Sequence, residues 1–124
     1  MPLSDARKSA AIDAAIPGTT VYVGLHTANP PTTVNEVTGG GYARQAVTVP
    51  VSGGATTRSA TGGPPVCTFD VPTATIASIG IWDGDVEGAG TLLAWFDSAD
   101  VATTSGDKVD VNSLTFSTSD VAGQ

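Results

Sequence analysis

Residues 76–82 have the sequence Ile-Ala-Ser-Ile-Gly-Ile-Trp, the most apolar stretch of the chain. An extended strand over them carries apolar side chains on both faces: Ala77, Ile79 and Ile81 on one, Ile76 and Trp82 on the other. Strands that are apolar on both faces lie inside a sheet, so we predict that this one is central. A turn over residues 83–90 and a strand over residues 92–96 then complete an antiparallel hairpin, which places Trp82 and Trp95 in one core.

Period-two patterns predict further short strands bounded by Pro and Gly. They cover residues 20–26, 42–49, 66–71 and 109–117, with an edge strand around residues 55–59. The side chains expected to share a face within each strand are Val21, Val23 and Leu25; then Ala43, Gln45, Val47 and Val49; then Cys67, Phe69 and Val71. We expect a bulge at Asn112-Ser113 and a polar connection over residues 97–107.

Six to seven short strands without βαβ alternation predict a mainly β fold, either an antiparallel β-sandwich or a small barrel. One short N-terminal helix precedes them: Ser4 can cap it, Ile12 and Ile16 give it a thin apolar side, and Pro17-Gly18 ends it. The predicted organisation is a helix with its connection (residues 1–18), a β-sandwich domain (residues 19–118) and a C-terminal tail (residues 119–124).

Charge and cysteine content narrow the function classes. The 124 residues include 5 Lys and Arg against 12 Asp and Glu, a formal net charge of −7, and the basic residues are scattered. Nucleic-acid binding needs clustered basic residues, so we expect no nucleic-acid partner. No apolar run approaches the roughly 20 residues of a membrane helix, so we expect no membrane partner. The single cysteine, Cys67, forms no intrachain disulfide and is expected to be a small buried residue.

A long loop is predicted over residues 28–41, between Asn29-Pro30-Pro31 and the strand that begins at Tyr42. Tyr42 and Arg44 share a strand face, and they either anchor the loop through Glu36 or contact another chain. His26 is the only histidine. Because it has no evident catalytic partner, we expect it to pack at the strand end against the loop. His26, Glu36, Tyr42 and Arg44 are thus the candidate interface residues, and no catalytic residue is assigned.

The acidic turn is the one place with metal-ligand spacing. Asp83, Asp85 and Glu87 alternate as in the first half of a calcium loop. The position that should supply the closing bidentate carboxylate is Ala94, and flanking helices are missing. We therefore expect a solvated hairpin turn, with no metal and no cofactor.

Several stretches resemble a family of small bacteriophage virion proteins, described as tail-fibre-like or minor tail proteins. Residues 25–30 (LHTANP) and 35–45 (NEVTGGGYARQ) carry most of the resemblance, and residues 79–83 and 90–93 add to it. The resemblance implies a non-enzymatic structural protein of the virion, assembled in the host cytoplasm, with other virion proteins as partners. Oligomers of such proteins are usually symmetric, so a symmetric homo-oligomer is expected.

Alternatives to a minor tail or tail-fibre-like component stay open at this level. The compact size also suits a capsid decoration protein on the outer shell. A module that binds host-surface glycan is a second alternative, with stacking platforms from Trp82, Trp95, Tyr22 and Tyr42. A hydrolase that uses His26 and an aspartate is the least favoured class.

Overall fold

The computed structural model describes residues 5–117, and within them the fold is mainly β, as the sequence predicts. One helix precedes eight strands: α1 (Asp5–Ala15), β1 (Thr20–His26), β2 (Gln45–Thr48), β3 (Arg58–Ser59), β4 (Cys67–Asp70), β5 (Ala74–Trp82), β6 (Leu92–Thr103), β7 (Lys108–Val111) and β8 (Thr115–Phe116). All strand pairs are antiparallel, and no sheet in the described part of the chain closes into a barrel. The arrangement is compatible with a β-sandwich.

The main sheet has the strand order β2-β1-β5-β6. The prediction that residues 76–82 are central is confirmed, because β5 pairs with β1 on one side and with β6 on the other. In this register Gly24 faces Gly80, and Gly80 in turn faces Trp95. Two small sheets, β3-β8 and β4-β7, lie outside the main sheet.

The hydrophobic core joins the inner face of the main sheet to the two small sheets. Its fully buried members include Val21, Val23, Leu25, Ile81, Phe69, Val71 and Phe116. The predicted faces of residues 20–26 and 66–71 are confirmed, since their apolar members belong to this core. In β4 they alternate with exposed neighbours, whereas in β1 the opposite face is also buried at Gly24 and His26. Each fully buried side chain of this size contributes roughly 1.5–3 kcal/mol of transfer free energy.

The strand predicted over residues 42–49 is shorter in the structure. Only Gln45–Thr48 pairs with β1, and the buried positions switch from Tyr42 and Arg44 to Val47 and Val49. The prediction that Ala43 shares a face with Val47 is therefore wrong, because Ala43 is exposed. The reason is tertiary: ahead of Gln45, the side chains of Tyr42 and Arg44 bond to Glu36, and the Tyr42 hydroxyl accepts the next amide of β1 in place of a backbone carbonyl.

The polar connection predicted over residues 97–107 is also wrong, since β6 continues to Thr103. Its second half pairs Val101 with Ile76 and Thr103 with Ala74, after an irregularity between Ile76 and Ser78. The segment tolerates polar residues because β6 is the edge strand of the sheet and keeps one face in water.

The single strand predicted over residues 109–117 is divided in two. β7 pairs with β4 and β8 pairs with β3, and the break at residues 112–114 includes the predicted bulge at Asn112-Ser113. Leu114 within the break is buried. The loosely predicted edge strand around residues 55–59 is reduced to Arg58–Ser59.

Helix α1 matches its predicted position; Ile12 in the helix and Ile16 directly after it are both fully buried. Asp13 also fixes the helix: the Ser52 amide and hydroxyl donate to its carboxylate at 3.0 and 2.9 Å. These two bonds lower the pKa of Asp13. The predicted cap at Ser4 and the tail over residues 119–124 lie outside the described residues. Over residues 5–117, no helix has the length and apolarity to cross a bilayer.

Candidate functional site

The four candidate interface residues converge on the outer face of the main sheet. His26, Glu36, Tyr42 and Arg44 are all buried, with exposed fractions of 0%, 6%, 5% and 6%. With Asn35 and Trp82 they form one hydrogen-bonded group, which we call the polar cluster. It lies between the sheet, the long loop (residues 27–44) and the β5–β6 turn (residues 83–91). The polar cluster thus realises the anchoring alternative predicted for Tyr42 and Arg44.

Glu36 is the centre of the polar cluster. Arg44 donates to its carboxylate twice, from Nε to Oε2 at 2.9 Å and from Nη2 to Oε1 at 2.7 Å. The Tyr42 hydroxyl and the Gly88 amide donate to it at 2.5 and 2.8 Å. Burial alone would raise the pKa of Glu36, but these hydrogen bonds outweigh it and lower the pKa. The carboxylate is therefore ionised and paired.

Arg44 connects the polar cluster to the β5–β6 turn. Its Nη1 donates to the carbonyl of Gly84 at 2.9 Å, and its guanidinium lies 4.5 Å from the centroid of the Trp82 ring. A planar guanidinium can make a bidentate ion pair and stack on an aromatic ring at the same time, which lysine cannot do. Arg44 and Glu36, which accepts from the Gly88 amide, thus hold the long loop and the turn together.

Tyr42 takes over the pairing of β1 where β2 ends. The register of β1 with β2 stops at Val23, and the next free amide, that of Leu25, donates to the Tyr42 hydroxyl at 3.0 Å. The Val37 amide donates to the Leu25 carbonyl at 3.0 Å. Burial and the neighbouring carboxylate of Glu36 raise the pKa of Tyr42, so its hydroxyl keeps its proton.

His26 packs at the end of β1 against the long loop, as predicted. Trp82 Nε1–H donates to His26 Nε2 at 3.1 Å, so Nε2 carries no proton. Nδ1 then carries it and donates to Asn35 Oδ1 at 2.9 Å. Burial lowers the pKa of His26, although the Asn35 hydrogen bond and the charge of Glu36 oppose this. The imidazole is therefore neutral, and both of its nitrogens are used.

Acidification is expected to destabilise the protein through His26. The folded-state pKa lies below the unfolded value of 6.5, so the unfolded chain takes up the proton first. The free energy of unfolding is therefore highest above pH 6.5 and falls below it, by at most about 1.4 kcal/mol per pH unit. Urea unfolding between about pH 7.5 and about pH 5 measures this slope, above the range in which Glu36 titrates. His26→Gln should flatten it, and an unchanged slope in that variant would contradict the assignment.

Two glycines make room for the polar cluster, and the sequence analysis did not single them out. A Cβ atom on Gly24 would lie 2.9 Å from Glu36 Oε2 and 3.1 Å from the Tyr42 hydroxyl. A Cβ atom on Gly80 would lie 2.6 Å from His26 Nε2 and 2.7 Å from Trp82 Nε1. Glycine inside a strand often marks such a close approach, and this was the available signal.

Gly80→Ala is expected to lower the free energy of unfolding by roughly 1–3 kcal/mol, because the added methyl group forces the His26–Trp82 hydrogen bond apart. Gly84→Ala is the matched control, since a Cβ atom there meets nothing within 4 Å. Urea unfolding compares the two, and the indole NH resonance of Trp82 reports on the hydrogen bond directly. Equal stability of both variants would show that the close approach at Gly80 has no energetic weight.

A second buried cation, Arg58, was not predicted as a special residue. It is 2% exposed and donates to four backbone carbonyls, those of Ile16, Gly18, Val49 and Pro50, at 2.6–2.9 Å. Asp13 is its carboxylate neighbour, at 3.6 Å. Arg58 therefore connects the end of α1 to the chain that follows β2.

Other predicted positions have simpler surroundings. Asp83 Oδ1 accepts the Thr91 amide at 2.9 Å, which closes the β5–β6 turn, and Asp85 and Glu87 are exposed. No group of three or more His, Cys, Asp or Glu side chains suited to a metal ion occurs within residues 5–117. Cys67 is buried as predicted, and burial, followed by Asp110, raises its pKa to about 11. A thiol in this state is a poor nucleophile.

The polar cluster works by positioning the chain. Every buried side-chain nitrogen or oxygen within residues 5–117 has a hydrogen-bond partner. In the polar cluster these partners hold the long loop and the β5–β6 turn against the sheet. Trp82 is 2% exposed and Tyr42 5% exposed, so neither offers a face for glycan stacking in this chain, while Trp95 and Tyr22 are half-buried.

The sequence matches the profile of one protein family over residues 6–120, nearly the whole chain; that family is described as "Podophage GP4 fiber I protein gp80". No curated protein and no solved structure shows a significant match. The match supports the resemblance to phage virion proteins in general. The chain therefore belongs to the podophage GP4 fiber I protein gp80 family of phage virion structural proteins.

Proposed function

We propose that this phage virion protein is a non-enzymatic component of the fibre, which acts through contacts with neighbouring virion proteins. The family match over residues 6–120 carries this proposal, because the family is described as a fibre protein. The buried side chains support it. Glu36, Arg44, Tyr42 and His26 make their hydrogen bonds within the chain's own loops and strands, which suits a protein that presents a fixed surface.

The surface held by the polar cluster is the proposed contact region. The long loop exposes Val34 (91%), and the β5–β6 turn exposes Val86 (64%). The two segments meet at Thr33 and Gly88: a Cβ atom on Gly88 would lie 3.6 Å from the Thr33 carbonyl oxygen. Thr33 is one residue from Val34, and Gly88 is two residues from Val86. Exposed apolar side chains on a rigid pair of loops are typical of a protein–protein contact. In this proposal the candidate interface residues are buried beneath the contact surface and hold the two segments that form it in place.

The test is the position of the protein in the particle. Gold-labelled antibody against the chain, imaged on intact phage, should mark the fibres, and quantitative mass spectrometry should give a copy number that matches the fibres. Labelling of the capsid at a copy number that matches the capsomers would instead establish the decoration role. Purified virions in which the protein is absent would overturn both roles.

A Val34→Asp variant tests the contact surface within the same particle. We expect a folded protein that incorporates poorly into virions, because a charge at a packed apolar contact is costly. Val51→Asp is the matched control, since Val51 is also exposed (60%) but lies outside the long loop and the β5–β6 turn. Equal incorporation of both variants would place the contact elsewhere.

A further inference from the structure

The outer edge of β6 is an open sheet edge. β6 has 12 residues, which corresponds to a strand length of about 40 Å at 3.4 Å per residue. It is the last strand in the order β2-β1-β5-β6. In the described part of the chain, no strand pairs with its second edge. Another extended segment can add as a strand to the outer edge of such a strand, through its backbone amides and carbonyls.

An apolar groove lies beside this edge. It has a volume of about 270 Å³, and its lining includes Leu25, Ile76 and Ile79 of the main sheet, Val101 of β6, and Val109 and Val111 of β7. Val101 is 49% exposed at the groove. β6 and β7 belong to different sheets, so the groove lies between the main sheet and the β4-β7 sheet. A strand added to β6 could place every second side chain in it.

The charge beside the groove is acidic. Asp97 and Asp100 of β6 are exposed. Asp97 pairs with Ser78, which in turn pairs with His26, so it lies on the face of the polar cluster and not on that of the groove; its carboxylate accepts from the Asn29 side chain at 2.8 Å. Asp100 directly precedes Val101 in the strand, so its side chain lies on the opposite face from that of Val101. Asp110 of β7 also lines the groove. Lys108 is the basic residue of β7, and it is paired with Asp70. A second copy of this chain would bring the same carboxylates to the edge, so like charges disfavour self-pairing and favour a basic partner.

We propose that the β6 edge and its groove bind an extended segment of a neighbouring virion protein, in which apolar side chains alternate with Lys or Arg. The apolar side chains fill the groove, and the basic ones face Asp97 and Asp100. This inference rests on the proposed structural role and adds the chemistry of the partner. It concerns a surface different from that of the long loop.

A peptide of seven residues that alternates valine and lysine is the probe. Fluorescence anisotropy with the labelled peptide and the full-length protein should show saturable binding. The same peptide with glutamate in place of lysine should not bind, and neither should one with a central proline, because proline removes a ladder donor and breaks the strand. Equal binding of the lysine and proline peptides would mean charge attraction alone and would overturn the proposal.

Two variants with matched controls locate the site. Val101→Arg blocks the groove, and Asp100→Lys reverses a charge on the other face of β6, which the basic side chains would meet; each should weaken binding about tenfold or more. Val86→Arg and Asp85→Lys make the same changes in the β5–β6 turn, where both residues are exposed, and should leave binding unchanged. Weakening by the turn variants to the same degree would overturn the location.

A photo-crosslinker at Ala102, an exposed residue of β6, tests the site in assembled phage. The crosslinked peptide should come from another virion protein and should alternate apolar and basic residues. A crosslink to the chain's own terminus or to a second copy would overturn the proposed partner. The peptide assay needs no phage, so its failure is separate from a failure of the fibre role, which only the particle imaging decides.

Discussion

Glu36→Gln is expected to lower the free energy of unfolding by about 3–5 kcal/mol, because it leaves the Arg44 guanidinium buried without a counter-charge. The side chains of this pair are 0% exposed for Arg44 and 1% for Glu36. The amide would also turn donor hydrogens toward the groups that now donate to the carboxylate, Arg44, Tyr42 and the Gly88 amide. Since domains are stable by only about 5–15 kcal/mol, much of the protein would be unfolded at moderate urea.

Urea unfolding followed by tryptophan fluorescence measures the effect. Glu87→Gln is the matched control, because this exposed acid lies in the adjoining turn, and its change should stay within about 0.5 kcal/mol. The double variant Glu36→Gln/Arg44→Met should be less unstable than Glu36→Gln alone, since it removes the unpaired charge as well. A Glu36→Gln protein as stable as Glu87→Gln would show that the ion pair does not hold the loop.

Arg58→Met is the second large expected loss, again about 3–5 kcal/mol, because four carbonyls that now accept from one buried cation lose their donor. Helix α1 should respond first, since the carbonyl of Ile16, directly after the helix, accepts from Arg58 at 2.6 Å. We therefore expect a loss of helical circular dichroism ahead of the global transition. Thermal unfolding, monitored in both the far-ultraviolet and the tryptophan signal, measures both effects.

Lys108→Met provides the control for loss of one positive charge. Lys108 also pairs with a carboxylate, Asp70, but its side chain is 67% exposed, so its removal should cost less than about 1 kcal/mol. Arg58→Lys should fall between the two, because an ammonium cannot reach four carbonyls with the fork of a guanidinium. Equal stability of Arg58→Met and Lys108→Met would contradict the structural role of the buried arginine.

The polar cluster could be predicted only in part from the sequence. The spacing of Tyr42, Arg44 and Glu36 predicted either an anchored loop or a contact with another chain, because three polar residues of complementary chemistry lie within nine positions of one another. The hydrogen bonds of the structure are those of an anchored loop. Only the β1–β5 register brings Trp82 and Gly80 to the polar cluster, and this register pairs residues more than fifty positions apart in the sequence. No local pattern reports such a register.

The sequence by itself determined the period-two strands, their inward faces at residues 20–26 and 67–71, the central place of β5, and the virion family. These properties depend on residues that are close together in the sequence, so a local sequence pattern is enough to predict them. Tertiary structure alone decided the length of β6, the division of the last strand between two sheets, and the role of Arg58. Each of these depends on which distant backbone groups meet, and that is fixed only when the sheets pack together.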